Sequence, residues 1–327
     1  MFRIPELLAP AGGMEQLRAA VENGADAVYM GGKLFNARIN ATNFSDAEMQ
    51  EAIEYARLRG VRLYVTMNTL IKDSELSDAL RYAAFLYEAG ADALIIQDLG
   101  FAKLVREQIP DFELHLSTQG TVYNFEGVRM AKALGFSRVV LARELTLDEI
   151  REITKENLLE IEVFAHGALC ICYSGQCQMS REIGGRSGNR EECAQPCRLP
   201  YSICRENEAG QMQEVSGQTF ALSPKDLCTV EQLGRLAEAG VSSLKIEGRM
   251  KTPEYVAVVT GIYRKYLDLY AKHGRYQVEP SDLRDLAQIF SRGGFTEGYL
   301  SGNPGKNLMS GDLSKHQGIY IGKVVIG

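Results

Sequence analysis

Residues 89–98 read AGADALIIQD, and near copies of that phrase recur as 23-NGADAVYMGG, 59-RGVRLYVTMN, 134-LGFSRVVLARE and 239-AGVSSLKIEGR. In each, a glycine (Gly24, Gly60, Gly90, Gly135 or Gly240) follows an amphipathic stretch and precedes a short apolar run. Glycine just past a helix end adopts the left-handed conformation that closes the helix, after which a buried strand begins. The stretches before the glycines carry helical apolar spacing, as where Met49, Ile53 and Ala56 fall on one face. The runs after them are short, apolar and rich in β-branched residues, as parallel strands covered on both sides are.

Working outward, strands are expected near 6–10, 26–31, 62–67, 93–97, 113–118, 138–143, 161–165 and 243–248. Eight strands that mostly alternate with helices fit a closed (β/α)8, TIM-type barrel better than an open doubly wound sheet. Residues 1–272 are assigned to this barrel. The rhythm breaks between the seventh and eighth strands, where an insertion over about 167–228 holds all seven cysteines. Residues 273–314 read as a helical and loop extension, and 315–327 as the start of a C-terminal β domain.

The chain has 327 residues, 45% of them hydrophobic, enough for a large core. A net charge of −6 gives no overall basic field for nucleic acid, so any RNA contact must use a local patch. Arg181, Arg186, Arg190, Arg198 and Arg205, set against Glu182, Glu191 and Glu192, give the insertion a modest basic lean. The opening MFRIPELLAPAGG lacks the layout of a signal peptide, and no apolar run approaches membrane-spanning length. A cytoplasmic location and no membrane partner are therefore expected. In a reducing compartment, clustered thiols lean towards metal or redox chemistry.

Barrel enzymes work at the mouth formed by the C-terminal ends of their strands. Those ends carry Asn68, Gln97, Asp98, Gln119, Arg143, Glu144, His166, Glu247 and Arg249, a polar set suited to an anionic or hydrogen-bonding ligand. Asp98 and Glu144 have a plainer reading as caps of the following helices.

The seventh strand runs into 162-EVFAHGALCICYSGQCQMS-180, followed by 193-CAQPC-197. A structural zinc site shows two tight cysteine pairs, and only Cys193–Cys197 makes one here. Looser, loop-borne thiols suit an iron–sulfur cluster, with Gly167, Gly175, Gly184, Gly185 and Gly188 giving the backbone freedom to wrap it. Zinc, redox thiols and plain burial remain open on spacing alone. A catalytic Cys170 activated by His166 is a further alternative. No H-E-x-x-H or G-x-S-x-G motif is present.

The stretch from Glu162 to Ser180 resembles the signature of the collagenase-like peptidase family U-32 in full, through Glu162, Phe164, Gly167, Ala168, Leu169, Cys170, Gly175, Cys177, Met179 and Ser180. ELLAPAG at 6–12, HLSTQ at 115–119, LARELTL at 141–147, GGRSGN at 184–189, CAQPCRLPY at 193–201 and SLKIEGRMK at 243–251 are similar to further family blocks. The resemblance implies an oxygen-independent hydroxylase carrying a [4Fe-4S] cluster, with prephenate as the source of the hydroxyl group. It puts the cluster on Cys170, Cys177, Cys193 and Cys197, with Cys228 in reserve, and gives Cys172 and Cys204 no role. RGGFTEGYLSGNPGKNLMS at 292–310 and HQGIYIGKV at 316–324 resemble the branches that modify a pyrimidine in tRNA or ribosomal RNA. On that reading His166, Glu144, Glu247 and Arg249 bind substrate or donor and move protons. Asn68, Gln97, Gln119, Arg143 and Arg186 complete the substrate contacts. Arg249 would pair with a donor carboxylate in bidentate fashion. The alternatives are a peptidase that uses a metal or a cysteine, and an accessory protein in RNA or quinone modification.

Overall fold

The five phrase glycines all adopt left-handed backbone, with φ between 70° and 92°, as a helix-to-strand reversal requires. The computed structural model describes residues 4–36, 41–190, 192–311, 314–316 and 318. The strands after those glycines, with three others, are β1 (Glu6–Pro10), β2 (Ala27–Met30), β3 (Arg62–Met67), β4 (Ala93–Ile96), β5 (Glu113–Leu116), β6 (Arg138–Val140), β7 (Glu160–Ala168) and β8 (Ser243–Ile246). They pair in parallel in chain order, and Leu244 of β8 faces both Val163 of β7 and Leu7 of β1. The sheet therefore closes on itself as a TIM-type (β/α)8 barrel, and the open doubly wound alternative falls.

Local sequence sets the helix starts. Ser45 with Glu48, and Thr146 with Glu149, form reciprocal capping boxes. Asp98 accepts from the Phe101 backbone N–H at 2.8 Å, so its plainer reading as a cap is the one observed. Outward strand residues such as Leu7, Val28, Leu63, Leu94 and Leu114 pack against the helices. Inside the barrel, Leu8, Ala27, Tyr29, Tyr64, Ala93 and Ile95 form a second apolar cluster.

The barrel interior also holds a charged network. Arg138, 1% exposed, donates to Glu6 Oε1 at 2.6 Å, to Glu162 Oε2 at 3.2 Å and to Glu160 Oε2 at 2.6 Å. Glu162, with no exposed surface, also accepts from Lys245 Nζ at 2.9 Å. Ser243 and Tyr64 donate to Glu6 at 2.9 and 2.8 Å. Two buried carboxylates thus meet two buried cations, each within hydrogen-bond distance, as burial of charge demands.

Along β7 the register slips by one residue. Lys245 faces Phe164, yet Ile246 faces His166, so Ala165 is the extra residue of a bulge. Glu162 and Phe164 point into the barrel; a strand alternates faces, and the bulge sends His166 to the outside instead. The insertion leaves from the end of β7 and returns as Asp226–Cys228, antiparallel to Ala168, Gly167 and His166. Between them Cys204–Glu206 and Met212–Glu214 form an exposed hairpin. In the extension, Phe295–Thr296 pairs with Asp226 and Leu227, and Met309–Gly311 pairs with Phe220–Pro224. Most of the β segment expected over 315–327 lies outside the described residues.

Removing one partner from the interior network strands a buried charge, so Arg138→Ala should cost about 3–5 kcal/mol, read as a lower urea midpoint. Burial pushes the carboxyl groups of Glu6 and Glu162 up, but Arg138 at Glu6, and Lys245 with Arg138 at Glu162, outweigh it and hold both low. Their contribution is present above the unfolded carboxylate value of about 4.3 and is lost as pH falls through the lower folded values. Urea midpoints measured between about pH 6 and pH 3 should fall, and fall less steeply in Glu162→Gln.

Candidate functional site at the barrel mouth

The strand ends and the insertion together enclose a cavity of about 210 Å3 at the C-terminal mouth. Four thiols line it: Cys170 and Cys177 from the arm that follows β7, and Cys193 and Cys197 from the arm beyond it. Four cations share its walls, Arg143, Arg198, Lys245 and Arg249, against the carboxylate of Glu247. Asn68 and Gln119 also face it.

Each cation has its own set of partners. Arg143 lies 4.4 Å over the Phe164 ring and donates to Ala168 O at 3.2 Å, with a longer contact of 3.8 Å to Cys170 Sγ. Arg198 donates to Leu169 O at 2.7 Å and to Ser223 Oγ at 2.8 Å, which ties the second arm back to the first. Arg249 reaches Asn36 Oδ1 at 3.2 Å and Thr66 Oγ1 at 3.1 Å. Lys245 stands 4.3 Å over the Tyr29 ring while paired with Glu162, so it joins the interior network to the mouth. The strand-end criterion misses Lys245 because it lies inside β8; a lysine within an apolar parallel strand was the available signal.

Several expected site residues stand elsewhere. His166 is 1% exposed and does not line the cavity. Its Nδ1 is 3.3 Å from the Tyr263 hydroxyl, and its ring packs 5.6 Å from that of Phe295. The bulge at Ala165 is the cause. Cys228, the reserve ligand, pairs with His166 on the same outer side, 3.8 Å from Tyr263 Oη. Glu144 lies behind Ser174, whose hydroxyl donates to it at 3.4 Å, and burial raises its pKa. Gln97 is buried outside the cavity, and exposed Arg186 donates to Glu192 O at 3.0 Å. The amide of Gln119 is occupied by protein partners described below.

Among the described residues, no three His, Cys, Asp or Glu side chains are gathered tightly enough to hold a single metal ion. The Cys197 thiol nevertheless feels the charge of the other three. Burial pushes the Cys197 thiol up to about 11; Arg198 opposes the rise, and Cys170, Cys193 and Cys177 each add to it. Four thiolates facing one space repel unless a cationic group sits among them.

A closed (β/α)8 barrel with a thiol-lined mouth is the class that fold and site define. The family model of peptidase family U32 matches residues 12–310, and the chain belongs to that enzyme family. The tRNA hydroxylation protein P1 of Bacillus subtilis is 39% identical over 315 residues, which cover 95% of this chain and 74% of that protein. A 23S rRNA 5-hydroxycytidine synthase of Escherichia coli is 41% identical over 327 residues, 98% of this chain but 48% of that protein. A collagenase of Porphyromonas gingivalis is 35% identical over 333 residues, 97% of this chain and 79% of that one. The chain thus spans about half the length of one of these relatives and roughly three quarters of the other two.

Burial, with the charge of Lys251 adding to it, pulls the pKa of His166 down to about 3. Its imidazole should therefore stay neutral from about pH 8 to pH 5 in nitrogen-15 NMR spectra, whereas a solvated histidine titrates near 6.5. A midpoint near that value would return His166 to the list of proton carriers.

Proposed function

We propose that this chain is the catalytic part of an oxygen-independent hydroxylase acting on a pyrimidine base in RNA. It would hold a [4Fe-4S] cluster on Cys170, Cys177, Cys193 and Cys197 and take its hydroxyl group from a small carboxylate such as prephenate. The observation that carries this reading is the meeting of four thiols and four cations on one cavity. Exchanging a ring C–H for C–OH with oxygen at the level of water releases two electrons and two protons, so both a redox group that passes the electrons singly to an external acceptor and a hydroxyl source are needed. The thiols suit the first. Their separation across two arms suits a multi-iron cluster better than a single zinc ion, whose ligands must all come within about 2.3 Å of the metal. When bound, the cluster would supply one-electron chemistry.

The cations suit the second requirement. Arg249 and Lys245 have the charge and burial to orient a carboxylate donor, and Arg143 lies 3.8 Å from the Cys170 sulfur. With His166 and Glu144 outside the cavity, Glu247 is the lining carboxylate positioned to accept a proton. The relatives named for tRNA and ribosomal RNA hydroxylation support RNA as the substrate class. A peptidase built on Cys170 and His166 loses support, because the bulge turns that imidazole away from the thiol. An accessory role predicts that the lining residues can be replaced without chemical consequence.

The test is nucleoside mass spectrometry of tRNA and ribosomal RNA from cells with and without the full-length gene. One hydroxylated pyrimidine should disappear and return on complementation. Cys170→Ser and Cys193→Ser should lose iron and brown colour and fail to restore it. Arg249→Gln should keep the iron but lower the modification about 10–100-fold, the worth of a charge-assisted contact. Anaerobically purified protein that holds zinc or no metal, and cleaves peptides, would sink the proposal.

A further inference from the structure

We infer that the short turn after β5, through Gln119, is the positioning device that sets the two thiol-bearing arms of the insertion at their working separation. The inference rests on the reading of these thiols as cluster ligands.

The turn runs from Ser117 to Thr121, and both arms fasten to it. Gln119 Nε2 donates to Asn189 Oδ1 and to Gly188 O, each at 3.3 Å, while its Oε1 accepts from Asn68 Nδ2 at 3.2 Å. Asn189 passes the chain on, donating from Nδ2 to Gly175 O at 3.2 Å. One amide relay therefore runs from the end of β3 through the turn to the second arm and across to the first. Thr121 Oγ1 adds a direct tie to the first arm by donating to Ser174 O at 2.7 Å, and accepts from Gln176 Nε2 at 3.0 Å. Thr121 holds φ at 55°, an unusual conformation for a β-branched residue, which these contacts stabilise.

Close packing fixes the same joints. A Cβ at Gly175 would lie 2.2 Å from Gln119 O, so the arm leading to Cys177 rests against the turn. A Cβ at Gly188 would lie 3.5 Å from Cys193 Cβ, so the tethered stretch touches a thiol residue of the other arm. Arg190 anchors that stretch to the barrel rim through Glu75, at 2.7 and 2.9 Å. The amide of Gln119 is thus spent on protein, which makes it a positioning residue, not a base-reading one.

The test uses the full-length protein, reconstituted anaerobically, and follows iron release to a chelator. Gln119→Ala should release iron about 10–100-fold faster than wild type, as loss of outer-shell support does. Gln119→Glu keeps the acceptor for Asn68 but presents oxygen to Asn189 and Gly188, and should match the alanine variant. Gln119→Ala/Asn189→Ala should be no worse than either single change, because both cut one relay. In the apo protein, hydrogen exchange of 174–178 and 188–190 should rise in these variants while the barrel strands stay protected. The inference is overturned if wild-type protein holds the cluster and the variants release iron at its rate, or only in step with a lower unfolding midpoint. If wild-type protein takes up no cluster, the functional reading fails instead, and unchanged hydrogen exchange in the two arms then overturns the inference independently.

Discussion

Glu162 is the carboxylate on which this barrel turns. Fully buried, it accepts from Arg138 on one side and Lys245 on the other. Desolvation alone would favour its neutral form, and only cations at hydrogen-bond distance keep it ionised. Arg138 in turn reaches Glu6 of the first strand, so one ionic chain links β1, β6, β7 and β8. Such a network adds little net stability over an apolar filling, but it is costly to break, and it fixes which strand ends stand together. Lys245 carries the consequence to the mouth, where the charge that balances Glu162 also forms part of the cavity wall.

The cavity itself is shared between two kinds of support. Its floor is rigid: Tyr29, Thr66 and Lys245 sit on or beside barrel strands. Its other wall is largely irregular backbone, in which two successive arms bring in the thiols. Irregular segments hold their place through side-chain ties, and here these are Arg198, Asn189 and Gln119. Glycine is needed where backbone meets backbone, as at Gly167, whose Cβ would lie 2.5 Å from Glu247 O. The family signature thus combines residues with two jobs: cysteines that face the cavity, and glycines that let the loops close over it.

Much of this was legible in the chain. All eight barrel strands fall where they are expected, five of them directly after a phrase glycine, because a helix cap and a short apolar run are local signals. The thiol set on one cavity was foreshadowed by a signature rather than by periodicity. What stayed hidden depended on tertiary register. Alternation along β7 predicts His166 inside, and a single extra residue at Ala165 reverses it; no composition signal marks that bulge. Gln97 also ends a strand, yet it is buried and lies outside the cavity lining, which position in the chain alone does not reveal. Gln119 was found, but as a ligand contact, because its partners at 188 and 189 lie almost seventy residues away in sequence.

The base of the exposed hairpin is closed by Tyr201 and Thr219, whose backbones exchange hydrogen bonds at 2.8 and 2.9 Å. Everything between them enters and leaves the molecule through one point. Chain inserted or removed there changes loop-closure entropy only slowly with length and shifts none of the four cavity thiols. The hairpin is therefore a natural seam for divergence: relatives can lengthen, shorten or redecorate it to meet new surroundings while the cavity beneath keeps its dimensions.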